Sequence, residues 1–228
     1  MEFVILICTL GLARASFDYN GRPTLADLKK FYGTNQLIYT WKRSFRFDGE
    51  GNSPVICVSN QKEKDSGEED KLYLKEAYGL GTKVYYYRVA MSLTGGNGRD
   101  DAPVMEAKPG RFKWSTSQAG MKVQEGSQSD QQIQTRKYRF EYHDSDKRCA
   151  VVTFNDGVRR CALLFWSEKK HLVLTQAPNS RKRSTPVFPN CEREYENLCP
   201  NTTTYEVYTG ECGSWFEPRY RSVLWTPE

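Results

Sequence analysis

Hydrophobic and polar positions change their period several times along this chain. Residues 3–12 (FVILICTLGL) form an apolar run, followed by Ala13-Arg14-Ala15 with small residues at the two positions a signal peptidase inspects. The pattern reads as a cleaved secretion signal over residues 1–15, leaving 16–228 as one mature domain that begins at Ser16. Such a run rises only about 15 Å as a helix and cannot cross a hydrocarbon layer about 30 Å thick. No later run is long or apolar enough to do so. Pro23 to Tyr32 (PTLADLKKFY) then predicts a short helix, with Thr24 as N-cap and Leu25, Leu28, Phe31 and Tyr32 on one side.

From Leu37 the period becomes two. Leu37, Tyr39, Trp41, Phe45 and Phe47 fall on one face and Thr40, Lys42, Ser44 and Arg46 on the other, the alternation of a long half-buried strand. Further strands are predicted over 54–60, 71–78, 82–93, 111–115, 135–142, 148–154, 159–167 and 203–208. Most are divided by turn residues such as Gly79-Leu80-Gly81 and Asp156-Gly157. Strands in sequence order joined by short turns predict a mainly β fold, an antiparallel meander. Closure into a barrel removes the edges that would otherwise recruit other chains. Residues 118–134, rich in Gly, Ser and Gln, read as an inserted loop. One late helix is predicted over 189–199, with Asn190 capping it, Cys191, Tyr195 and Leu198 facing the barrel, and Pro200 ending it.

Composition narrows the function classes. The 228 residues are 38% hydrophobic and 13% aromatic, enough for one domain of substantial core, and a net charge of +5 is modest. The densest basic run, Arg181-Lys182-Arg183, reads as a solvated loop, and no nucleic-acid or membrane partner is indicated. The acidic stretch 62–70 reads the same way. No Ser-His-Asp set or phosphate-binding glycine loop can be placed, so catalysis is not expected, and no cofactor is implied.

Seven cysteines fall to six once Cys8 leaves with the signal: Cys57, Cys149, Cys161, Cys191, Cys199 and Cys212. An even number in a secreted chain implies three disulfides. A zinc site fails on spacing and on the presence of only two histidines. Eight residues along a helix rise about 12 Å, too far for Cys191 to reach Cys199. A two-residue loop at Asp156-Gly157 would set Val152 opposite Cys161, and Cys149 opposite Leu164 on the other side of the sheet. The expected pairs are Cys57–Cys212, Cys161–Cys191 and Cys149–Cys199, the last two interchangeable.

The combined features resemble the salivary lipocalins of ticks, the group that includes histamine-binding proteins. They are the secretion signal, Ala26-Asp27-Leu28-Lys29-Lys30, the strands Cys149-Ala150-Val151-Val152 and Cys161-Ala162-Leu163-Leu164, and the tail from Cys191 to Cys199 with Tyr205 to Cys212. The resemblance implies an eight-stranded antiparallel lipocalin barrel with a short N-terminal helix and a C-terminal helix packed on it. It also implies secretion in saliva and capture of a small host mediator: a biogenic amine such as histamine or serotonin, or an amphipathic lipid such as an eicosanoid. Some members bind host proteins instead; here the exterior stretches 95–134 and 177–189 are the surfaces for that alternative. A monomer is expected.

One departure from the family pattern bears on the ligand. Amine-binding members carry an acidic residue directly after the cysteine in each late strand, where this chain has Ala150 and Ala162. A desolvated ammonium costs several kcal/mol unless paired, about what a carboxylate restores. Glu141 and Asp144 are possible substitutes, although Glu141 alternates away from Tyr138, Phe140 and Tyr142 toward solvent. Arg43, on the face of Tyr39, Trp41 and Phe45, could instead fork onto a ligand carboxylate, or could reach water at the barrel mouth. The candidate ligand-binding set is Tyr39, Trp41, Arg43, Phe45, Tyr85, Tyr87, Tyr138 and Phe140, with Arg88 pointing outward. Asn201-Thr202-Thr203 is the one glycosylation sequon free of proline.

Overall fold

The computed structural model describes residues 22–49, 52–63, 67–98, 100–116, 135–175 and 185–216, with the side chains of 111–116 excepted. The expected secretion signal, the loop 118–134 and the Arg181-Lys182-Arg183 run lie outside the described residues.

Eight antiparallel strands form the wall: β1 (Ile38–Arg43), β2 (Val55–Lys62), β3 (Lys71–Leu80), β4 (Lys83–Thr94), β5 (Val104–Thr116), β6 (Arg136–Asp144), β7 (Cys149–Asn155) and β8 (Arg159–Trp166). Neighbours in sequence pair in order from β2 to β8, β8 pairs with β1, and β1 pairs back to β2 through Ile38↔Asn60 and Tyr39↔Ser59. The sheet is thus a closed barrel. A two-residue strand, β9 (Tyr205–Glu206), sits beside β1. Next to it Val207 wedges between β1 and β2: its N–H donates to Trp41 O at 2.9 Å and its carbonyl accepts from Cys57 N at 2.7 Å.

Helix α1 (Leu25–Tyr32) begins at Thr24, whose side chain accepts from Asp27 N while the Asp27 carboxylate accepts from Thr24 N. This reciprocal cap satisfies two amides that a helix start leaves open. The helix drives Leu28, Phe31 and Tyr32 into one end of the barrel, where Phe31 meets Phe140 at 5.6 Å and Trp166 at 5.9 Å between ring centroids. That end is filled by side chains.

Helix α3 (Pro189–Leu198) lies on the outer wall, and α2 (Lys170–Leu174) follows a single 3-10 turn after β8. Its N-cap is Phe188, not Asn190: the Phe188 N–H donates to the Glu192 carboxylate, and Asn190 donates to Asp144. Residues 211–216 are helical and carry Cys212, Trp215 and Phe216 against the barrel. Trp215 packs against Gly79, where an added Cβ would clash with the indole ring.

The disulfides join Cys57 to Cys212, Cys149 to Cys191 and Cys161 to Cys199, so the helix cysteines take the second of the two arrangements left open. The β7–β8 hairpin sets the side on which both strand cysteines lie. Its loop has three residues, with Gly157 at φ +100°, so Thr153 stands opposite Cys161 and Cys149 opposite Phe165. Both cysteines therefore face outward, toward α3, rather than to opposite sides of the sheet.

Candidate functional site

Two apolar clusters divide the protein, one inside the barrel and one between its outer wall and the C-terminal segments. Tyr39 and Trp41 belong to the outer cluster: Trp41 meets Phe188 at 5.6 Å and Tyr39 meets Tyr208 at 4.7 Å. Their expected place in the lumen is therefore corrected. The alternation of β1 is real, but its apolar face is covered by α3 and the C-terminal tail. Phe47, expected on the same face, is exposed.

Register shifts decide which side several residues take. In β1 the pairing slips between Thr40 and Lys42, so Trp41 and Lys42 both face outward and Arg43 returns to the lumen opposite Ala162. Lys42 then donates to Glu192 of α3 at 3.0 Å. In β6 the slip between Phe140 and Tyr142 keeps Tyr138 and Phe140 inside and sends Tyr142 to the outer cluster. Glu141 does point away from the lumen, but it is not solvent facing: it is 4% exposed, accepts from Thr153 and pairs with Arg22 and Arg139. A bulge in β2 places Cys57 at φ +55° and aims it at Cys212.

The barrel interior has two levels. At the α1 end Phe31, Leu74, Met105, Phe140 and Ala150 are at most 1% exposed, a packed floor that gives Phe140 no free surface for a ligand. Above it, Glu76 occupies the inward position after Leu74 on β3 and faces Tyr87 of β4. Tyr87 donates its hydroxyl to the Glu76 carboxylate, and the Asn60 side chain bonds to the same carboxyl. Burial pushes the Glu76 carboxyl above the ordinary glutamate range, against the opposing pull of Tyr87, Arg136 and Asn60. Burial likewise raises the phenols of Tyr87 and Tyr138.

Glu76, Tyr87 and Tyr138 nevertheless keep partly accessible surface, as do Tyr78, Tyr85 and Ala162. Deep desolvation together with residual accessibility marks the wall of an internal hollow. Tyr78 and Tyr85 stack at 5.3 Å across β3 and β4, giving that wall aromatic faces. Asn60 Oδ1 is buried and has no hydrogen-bond partner among the described residues.

The end of the barrel opposite α1 is basic. Arg43, Arg136 and Arg160 all stand in inward register, opposite Ala162, Ala107 and Phe154. Arg43 is 5% exposed; one nitrogen donates to Val55 O at 2.8 Å, while Nε finds no acceptor among the described residues. Desolvation lowers its pKa to about 10 despite Asp48 nearby. The guanidinium does not reach water, and one nitrogen is spent on backbone carbonyls, which leaves Nε as the part able to meet another acceptor. Phe45 packs on Phe154 at 5.2 Å; the Arg43 guanidinium lies 5.2 Å from the Phe45 ring and that of Arg136 5.2 Å from Phe154.

Sequence reading missed Glu76 and Asn60. Glu76 sits at the inward parity of Leu72, Leu74 and Tyr78, a signal present in the sequence. Among the described residues, no group of His, Cys, Asp or Glu is arranged to hold a metal, and no helix is long and apolar enough to cross a membrane.

A closed eight-stranded antiparallel barrel, plugged at one end by an N-terminal helix and braced by a C-terminal one, is a lipocalin. The chain belongs to the family described as tick histamine binding protein, which it matches over residues 23–214. A search of curated proteins found no match. The family is defined by binding, and this chain is a binding protein rather than an enzyme.

Proposed function

We propose that this protein is a secreted, monomeric carrier that sequesters a small host mediator bearing a protonated amine, such as histamine or serotonin, in the hollow above the packed floor. The observation that carries the reading is the Glu76 carboxyl, desolvated in the lumen beside an Asn60 carbonyl oxygen that lacks a donor among the described residues. An ammonium brings three N–H donors and one positive charge, and so answers both needs at once. The tyrosine faces of β3 and β4 add a favourable surface for a cation and for an aromatic ring.

Within this reading Glu76, from β3, supplies the acid that Ala150 and Ala162 do not. An eicosanoid or fatty acid is less well served, because the lumen carries a carboxyl at depth and Arg43 spends part of its guanidinium on backbone carbonyls. Secretion is supported by the three disulfides, which persist in oxidising compartments, and by the apolar run at residues 3–12.

Calorimetric titration of histamine, serotonin and a fatty acid into wild type and Glu76→Gln tests the proposal. Amine binding at micromolar affinity or better, lost in the variant, is the expected result. Equal amine affinity in both proteins overturns it.

A further inference from the structure

Above the packed floor the lumen carries charges of opposite sign at two heights. Among the described residues one carboxyl, Glu76, lies nearer the floor, while Arg43, Arg136 and Arg160 ring the end opposite α1 from three different strands. Arg160 has its own counterion, Asp156, at 3.1 Å. Arg43 and Arg136 have no ion pair among the described residues, and Arg43 is buried with an idle Nε. The two guanidiniums flank one aromatic pair, Phe45 and Phe154, so they approach the same part of the mouth. Arg136 also bonds the Tyr138 hydroxyl and feels the Glu76 charge, which places it between the rim and the hollow.

Building on the amine reading, we infer that the barrel reads both ends of its ligand: an ammonium at Glu76 and Asn60, and an anionic group at the opposite end, held at the mouth by Arg136 and Arg43. The ligand class is an amphoteric small molecule whose charges are separated by an apolar or aromatic body. Planar guanidiniums suit a carboxylate, which takes two parallel N–H donors. The same ring disfavours a ligand with a second cation, because a diamine with its first ammonium at Glu76 must bring its other charge against Arg136. Selection therefore works by attraction for one partner and repulsion of another.

The test uses matched probes on the full-length mature protein: hexylamine, its omega-carboxylated analogue aminohexanoate, and hexanediamine, each titrated calorimetrically. Aminohexanoate is expected to bind about tenfold tighter than hexylamine, the scale of one charge-assisted contact, and hexanediamine more weakly than either. Arg136→Ala, at an exposed position, should erase the advantage of aminohexanoate over hexylamine and relieve the handicap of hexanediamine. Arg43→Lys, which keeps the charge, should retain part of the advantage. Equal affinities of hexylamine and aminohexanoate for wild type, or an advantage that survives Arg136→Ala, overturn the inference while leaving the Glu76 reading intact. Failure of every amine to bind, with hexanoate alone binding through Arg136, overturns the Glu76 reading and, with it, recognition of both ends.

Discussion

Inside the barrel, the hydroxyl of Tyr87 on β4 donates to the carboxylate of Glu76 on β3, a cross-strand pair that orients the one acid identified in the upper lumen. The bond favours the ionised carboxyl, while burial favours the neutral one, and burial prevails. The acid is thus held ready for a cation at a standing cost in solvation.

That balance sets a pH dependence. Because the folded-state pKa of Glu76 lies above its unfolded value, its contribution to stability is fully present at low pH and is lost as pH rises through the folded value. Glu76→Gln should therefore gain thermal stability relative to wild type as pH rises from the unfolded to the folded value, the gain staying constant above it, and the two melting curves should converge in acid. Amine binding should run the other way, weakening as acidification protonates Glu76. Calorimetry and melting across a pH series check both signs.

Trp41 and Tyr39 should matter for folding and not for capture. Trp41→Ala removes a side chain 2% exposed beneath Phe188 and should cost about 3–5 kcal/mol. Amine affinity, measured at a temperature where the variant is folded, should be unchanged. A selective loss of affinity would return this face to the ligand.

The two alanines after the late cysteines are not equivalent. Ala162 is partly accessible in the upper lumen, whereas Ala150 is fully buried in the floor. Ala162→Asp should fold and tighten binding of histamine by adding a second acid opposite Arg43. Ala150→Asp should lose several kcal/mol, the order expected for an unpaired buried carboxylate. Chemical denaturation and titration of the two variants separate these outcomes.

Cys57 and Cys212 close a loop spanning 155 positions, and a link of that length restricts the unfolded chain by about 5 kcal/mol on the loop-entropy scale. Replacing both with alanine should lower the melting temperature and free the segment from Val207 to Phe216, visible as faster amide exchange at Cys57 and Val207. Exchange on β4 and β5 should change little.

Much of the fold was legible because its rules are local. Thr24 and the apolar side Leu25, Leu28, Phe31 and Tyr32 announced α1, the alternation of Tyr85 to Leu93 announced β4, and glycine turns divided the strands. Register was harder, because one extra residue in the 156–158 loop moves every β7–β8 partner, and with it the side that Cys149 and Cys161 share. The start of β5 was missed because Lys108-Pro109-Gly110 interrupts the strand pattern, yet 104–107 pair with both β4 and β6. The side of a strand was the least legible of all. In a barrel wrapped by α3 both faces of β1 are buried, so the alternation reveals two sides without saying which is inner; the bulge at Trp41 then reverses the parity before Arg43. Glu76 lies on β3, away from the late-strand positions at which the family pattern places its acids.

None of the three cystines passes through the bore. Cys57, Cys149 and Cys161 all turn to the exterior, where they anchor α3 and the tail as an outer harness. Positions such as Asn60, Glu76 and Ala162 can then change identity without loosening that harness. Such an arrangement lets one scaffold be re-addressed to new cargo by a few interior substitutions, and lets an acid migrate from one stave of the barrel to another while the vessel stays whole.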